Sequence, residues 1–524
     1  MFYFAFEARM AQSVIFGIAI STLIGLWART VWRSSGRHSK RRTLRWAGII
    51  ATALALQCGN LLGHRGEHRL FFDEDVYANM AANLLAGRGA NVTSGPMRTT
   101  TTHKWPAGFP TVAALGVAIN GVEQGPIDTN GVLSIFTSVL CIASLRRLFR
   151  SFWLALAATS TFILHPFVGP WYRSGSAEPL AFLLLLSSWL ALAQADESPS
   201  EEASGFFAIA LLSGALASLV RSEMVVITGL SMVWTWRCHP KKCASLTMAI
   251  TLSIALLVAF GIHCLSLSGV YWAGRPESSF GLTYVLSNLK SNVSFLSESG
   301  CLFLIVPAVA TYAILSLRGH LEHRAMRALN RLWILTLVLV MVLQIYSAGA
   351  YGLPGGSRFL LPVVFVSAFT LSMALHELTK RKVHFLRVAA FVVPAALSLA
   401  ALQHSNAKFV QTESPAREHA WISRVVRSIP ANSLVISVAP YLWANQGILS
   451  SPQLSDGLSL LSKRPVFVHQ GLLGINWAPT AYNGVCVEAT HTRHGDIKLF
   501  QIIQPSTTAT RVSRGRRLKT CLSD

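Results

Sequence analysis

Residues 71–89 read FFDEDVYANMAANLLAGRG, and the way the chain surrounds this stretch decides the fold. Three adjacent acids, Asp73, Glu74 and Asp75, come before a run in which Val76, Met80 and Leu84 share one helical face. Gly87 supplies a C-terminal stop. Acids favour a helix start, because their side chains cap free N–H groups and complement the helix dipole. Capping alone does not explain three acids a few residues beyond an apolar stretch at 46–63. A general base held at a membrane surface needs such a position.

Outward from this loop the chain is apolar. Hydrophobic residues make up 52% of its 524 residues and charged residues 13%, where a soluble domain carries about 25%. That excludes a single water-soluble globule, and it excludes disorder. Apolar stretches fall near 11–28, 46–63, 129–146, 152–169, 179–195, 205–222, 224–237, 244–268, 301–317, 332–351, 359–376 and 388–404. A span needs about 20 residues, so some of these are short or tilted. The segment 109–120 is apolar but too short to cross. The expectation is a polytopic α-helical membrane protein with about twelve transmembrane helices.

The net charge of +22 would suit nucleic acid in a soluble protein. Here the basic residues gather in alternate connections, at 29–45, 146–150, 237–242, 318–331 and 380–387. This is the positive-inside pattern. It places those connections in the cytoplasm and both termini outside, with a lipid bilayer and not nucleic acid as the partner. Residues 11–28 read as a retained first helix and not a signal peptide, because the positive block follows the apolar run. The eight cysteines imply no disulfide framework. A Cys486–Cys521 pair stays open, and zinc at Cys238, His239 and Cys243 lacks further ligands.

Three parts then lie outside the membrane, at 64–110, 269–300 and 405–524. The tail changes character. Residues 413–428 read as an amphipathic helix, and 433–438, 465–469 and 497–503 as strands. The expected organisation is an extra helix and basic loop at 1–45, a transmembrane body at 46–404, and a small extracytoplasmic α/β C-terminal domain at 405–524. That domain shows no catalytic motif and reads as an acceptor-binding accessory. Its deletion should change acceptor choice and leave donor binding. Asn91 and Asn292 open glycosylation acceptor patterns.

Polar groups cluster at the outer helix ends. Residues 102–110, THKWPAGFP, form a proline-fixed return turn with His103 and Lys104 at headgroup level. Lys104 can snorkel or can hold a lipid phosphate. Ser176, Ala177 and Glu178 open one span, Arg221 and Glu223 close another, and Arg358 opens a third. By the charge pattern all of them face the same outer side. Ionisable residues at such depth are a functional hypothesis.

DEDVYANMAANLLAGRG (73–89) followed by KWPAGFP (104–110) resembles the first outer loop of the membrane-embedded C-type glycosyltransferases. The nearest branch holds the protein O-mannosyltransferases and the lipid A aminoarabinose transferases. SGSAEPL around Glu178, LVRSE around Arg221 and GGSRFLLP around Arg358 echo it more weakly. The resemblance covers roughly 46–404. It implies an inverting transfer of a sugar from a polyprenyl-phosphate donor to an acceptor hydroxyl on a glycan, lipid or protein, outside the cell or plasma membrane. It makes Asp73 the general base and Glu74 a positioning carboxylate, with Asp75 a competing base. Lys104, Arg221 and Arg358 would hold the donor phosphate, and Tyr77, His103 and Glu178 would contact substrate. One departure stands out: His103 precedes Lys104 where the aminoarabinose branch has an acid, and Trp105 precedes a single Pro106. Asp73, Asp75 and Glu178 would suit a hard cation, but the resembled branch works without one. No metal and no soluble cofactor is therefore expected. The alternative is a transporter or flippase of a lipid-linked or anionic substrate. That would place polar groups at the midplane of broken helices, whereas here they gather at one face.

Overall fold

The computed structural model describes residues 2–34, 39–63, 73–94, 99–101, 105–149, 151–195, 200–221, 281–298, 301–318, 323–346, 356–380, 413–437, 439–452, 454–471, 486–493 and 497–503, and positions 198, 224, 228–230, 233, 254, 258 and 349. His103, Lys104, Glu223, Cys521, the loop 238–243, the stretch 388–404 and nearly all of 244–268 lie outside them.

In chain order come α1 (Phe2–Ser34), α2 (Ser39–Gly63), α3 (Asp73–Leu85), the antiparallel pair β1 (Val92–Ser94) and β2 (Thr99–Thr101), α4 (Gly108–Phe149), α5 (Phe152–Ile163), α6 (Glu178–Ala195) and α7 (Ser200–Ser218). After these follow α8 (Val285–Glu298), α9 (Leu302–Arg318), α10 (His323–Gln344) and α11 (Leu361–Lys380). α6 is apolar all round and buried along almost its whole length, as a helix at the centre of a bundle must be. The rings of Phe182 on α6 and Phe365 on α11 lie 5.0 and 5.5 Å from that of Phe162 on α5. α1 joins this core through buried Phe16, Ala19 and Leu23. Its Trp27 indole donates to Ser187 Oγ at 2.7 Å, and Ser187 bonds Ser213 at 2.8 Å, tying α1, α6 and α7 together.

α4 is two helical runs joined at Gly121, whose φ of 78° suits glycine. A Cβ on Gly116 would strike the Gly125 carbonyl, so glycine at both positions lets the backbones touch and the chain double back. The short apolar segment 109–120 is thus the first arm of a tight helical hairpin.

Among the described residues four helices are long and apolar enough to cross a membrane: Ala11–Arg29, Gly108–Leu148, Glu178–Ala195 and Arg327–Gln344. Trp46–Cys58, Phe152–Ile163, Glu202–Ser218 and Arg358–Ala374 are apolar but shorter. The expected dozen is therefore not reached there. One reason is visible at 152–169. α5 stops at Ile163, and the rest of that apolar run is buried turns around His165 and Pro166. Composition alone does not separate a helix from a buried turn. The segment 269–300 contains α8. Its Asn288 caps the end of α10, with Nδ2 donating to the carbonyls of Gln344 at 2.9 Å and Tyr346 at 2.8 Å. Asn91 and Asn292 are both buried, so neither acceptor pattern can carry a glycan in this fold.

The tail forms α12 (Glu413–Val425), β3 (Leu434–Ile436), α13 (Pro440–Asn445), β4 (Leu449–Ser451), α14 (Leu454–Leu460), β5 (Val466–Gln470), β6 (Cys486–Arg493) and β7 (Ile497–Ile503). Its sheet has the order β4-β3-β5-β7-β6, parallel through β4, β3 and β5 and antiparallel beyond. Both faces are covered. Val435 and Phe467 pack with Trp421 and Trp443, while Leu434, Ile436, Val466 and Val468 pack on the other side, as a period of two requires. β4 and β6 carry too many polar residues to read as strands from sequence.

Gly108 starts α4 where its N–H donates to the Leu219 carbonyl at 3.1 Å. A Cβ there would sit 2.6 Å from that oxygen and 2.8 Å from Phe16 and Val220 atoms. Gly108→Ala is expected to cost about 1–3 kcal/mol through overpacking. A thermal midpoint equal to wild type in detergent would contradict this.

Candidate functional site

Four side chains from four places meet at one point. Asp73 opens α3, Glu178 opens α6, Arg221 follows α7, and Arg358 lies in the 3-10 turn Gly356–Leu360 that leads into α11. Arg221 Nη1 and Arg358 Nη1 each lie 3.2 Å from the same oxygen, Glu178 Oε1. Arg358 Nη1 is also 4.0 Å from Asp73 Oδ2. Asp73, Glu178 and Arg221 are buried, with relative exposures of 3%, 4% and 4%. Buried charges persist only when paired, and here two guanidinium groups face two carboxylates.

Tyr77, one turn into α3, closes this cluster from below. Arg221 Nη1 donates to its hydroxyl at 3.5 Å, and its ring stands edge-on to Phe109 at 5.3 Å. Burial pushes the Tyr77 phenol well above its ordinary pKa; Arg221 opposes this, and Asp73 and Glu178 add to it. The phenol therefore stays protonated. Trp105 stacks under the Arg221 guanidinium at 5.5 Å, which holds that charge by cation–π attraction.

The other two acids go elsewhere. Glu74 Oε2 accepts the Gly175 N–H at 3.0 Å. It clamps the loop before Glu178. Asn130 clamps the same loop from α4, with Nδ2 donating to the carbonyls of Ser174 at 2.6 Å and Ser176 at 2.7 Å. Sequence reading missed Asn130. Its signal is an amide inside an otherwise apolar stretch. Asp75 is buried, and its backbone carbonyl accepts Asn445 Nδ2 of the tail at 3.0 Å. Asp73, Asp75 and Glu178 do not gather into a metal-holding group; the described residues contain no such group of three His, Cys, Asp or Glu. His103 and Lys104 lie outside the described residues.

The cluster forms the polar end of a small, partly open pocket of about 30 Å³. Its remaining wall is apolar, from Ala181, Phe182, Leu185, Leu339 and Phe359. A charged end joined to an apolar wall suits the anionic end of an amphiphile. Glu178 Oε2 is buried at this wall without a hydrogen-bond partner. The site also lies far from the basic connections. Arg147 pairs with Glu202 at 3.0 Å at the start of α7, and Arg221 follows its end. The 19 residues of α7 separate them by about 28 Å, close to the thickness of a hydrocarbon core.

No family model matches this sequence, and no curated protein matches it. Solved structures do. ArnT from Cupriavidus metallidurans, bound to undecaprenyl phosphate, superposes with a TM-score of 0.55 at 10% identity, over 91% of this chain and all of the other. The Archaeoglobus fulgidus oligosaccharyltransferase AglB, in complex with an inhibitory peptide and a dolichol-phosphate, gives 0.48 at 10% identity over 82% of this chain and 70% of the other. The superposition on ArnT shows that this chain shares its fold, that of the membrane-embedded C-type glycosyltransferases.

Proposed function

We propose that the protein is an inverting glycosyltransferase that moves a sugar from a polyprenyl-phosphate donor to an acceptor hydroxyl on the extracytoplasmic side. The observation that carries this reading is the convergence of Arg221 and Arg358 on the polar end of an otherwise apolar cavity. Guanidinium groups bind phosphate through paired donors, and the neighbouring wall is apolar, as a lipid tail requires. The undecaprenyl phosphate bound to ArnT is an amphiphile of this kind.

In the reaction the acceptor oxygen attacks the anomeric carbon and gives its proton to the Asp73 carboxylate. The bond from that carbon to the phosphate oxygen breaks, and its electron pair stays on the lipid phosphate. Negative charge builds there in the transition state, and Arg221 and Arg358 stabilise it. This reading assigns charge neutralisation to guanidinium groups and not to a metal. Glu178 Oε2 and Tyr77 would contact the donor sugar, with Lys104 and His103 as further phosphate and substrate contacts from the neighbouring loop.

The test is release of polyprenyl phosphate by purified protein in lipid, offered polyprenyl-phosphate mannose, glucose and aminoarabinose with acceptor glycan, lipid A and peptide. Sugar-dependent release with transfer to one acceptor is the expected result. Absence of release with every pair, from protein that still binds undecaprenyl phosphate, would overturn it.

A further inference from the structure

The tail packs Tyr441 against the Val76 and Met80 face of the first-loop helix, and one amide adds hydrogen bonds to it. Asn445, the last residue of α13, donates from Nδ2 to the Asp75 carbonyl at 3.0 Å, and its Oδ1 accepts from Asn79 Nδ2 at 3.0 Å. Asn79 Oδ1 in turn accepts the Thr93 N–H at 2.7 Å and Asn83 Nδ2 at 3.2 Å. One side chain of the tail therefore spans the first two turns of α3 and joins the network that holds β1 against it.

α13 is itself fixed from within the tail. Trp443 Nε1 lies 3.4 Å from His469 Nδ1, and Ser437 Oγ 3.1 Å from the same nitrogen. The indole can only donate, so Nδ1 serves as the acceptor, and Nε2 lies 2.9 Å from Glu418 Oε1. Ser437, His469 and Glu418 are each fully buried. This chain of contacts from α12 through β5 leaves α13 little freedom, so Asn445 presents its amide in one place.

Resting on the glycosyltransferase reading, we infer that Asn445 is a positioning residue for the transfer step. The tail sets the orientation of the first turn of α3, and so where Asp73 stands relative to Arg358 and the cavity. It does not serve acceptor choice alone. A misplacement of about 1 Å at a reacting group costs up to about a hundredfold in rate, so a brace on this turn matters although it touches no substrate.

Asn445→Asp tests this in the full-length protein in lipid. It keeps the oxygen that Asn79 uses and removes the donor to Asp75. The expected result has three parts. kcat falls about tenfold with the donor KM held within about twofold. Amide exchange across residues 73–79 quickens. Exchange in β3 and β5 does not change. Asn445→Ser, which is smaller and introduces no charge, should behave alike. Unchanged exchange at 73–79 in both variants would overturn the inference, as would unchanged kcat. Equal loosening of β3 and β5 would also overturn it, since Asn445 would then serve only the stability of the tail. If wild type turns over no donor, the glycosyltransferase reading is what fails, and exchange at 73–79 still decides whether Asn445 orders α3.

Discussion

Asp73→Asn is expected to reduce turnover of a polyprenyl-phosphate sugar about a thousandfold, within the range of a lost general base. The substitution keeps the shape and removes the basic oxygen. The Asp73 carboxylate stands beside the cluster, 4.0 Å from Arg358. The variant should still bind undecaprenyl phosphate, because Arg221 and Arg358 keep Glu178 as their anchor at 3.2 Å. Glu74→Gln provides the contrast. Its oxygen accepts a backbone N–H from Gly175, so an amide oxygen can stand in and turnover should fall much less. Turnover of Asp73→Asn within about tenfold of wild type would clear Asp73 as the base and point to Glu74 or Asp75.

Glu178→Gln is expected to act in two opposite directions. In the ligand-free protein Glu178 Oε1 is shared by two buried guanidinium groups. Removing its charge leaves both undercompensated, and stability should drop by about 3–5 kcal/mol. The same carboxylate is the anion that an incoming phosphate must compete with. Affinity for undecaprenyl phosphate should therefore rise by about tenfold, as one unit of opposing charge is lost at close range. Thermal denaturation with and without undecaprenyl phosphate reads both effects. The apo midpoint should fall and the ligand-induced shift should grow. Undecaprenyl phosphate carries no sugar, so any contact between Glu178 and the donor sugar does not enter. A weaker affinity would mean that Glu178 organises the arginines for phosphate instead of competing for them.

The tail shows how far alternation carries. Three strands, the leading helix and the change from membrane to α/β character follow from residues 413–428, 433–438, 465–469 and 497–503. The strand Leu449–Ser451 is invisible, because three residues with two serines have no period. In the bundle the apolar runs located most helices, but not their ends. Residues 164–170 are as apolar as the helix before them, yet they turn.

The site divides the same way. Composition and charge alternation alone determined that this is a membrane protein, because burying so many apolar residues with so few charges leaves no other solvent. Residue types at helix ends singled out Asp73, Glu178, Arg221 and Arg358, because ionisable groups so close to lipid need a reason. What only the tertiary structure decided is which of them meet. Asp73 and Arg358 are 285 residues apart in sequence and 4.0 Å apart in space. Glu74, adjacent to Asp73, faces another loop altogether. Neighbouring residues on a helix point about 100° apart, so adjacent acids such as Asp73 and Glu74 turn to different partners, and only the packing of α3 against α4 and the tail assigns them.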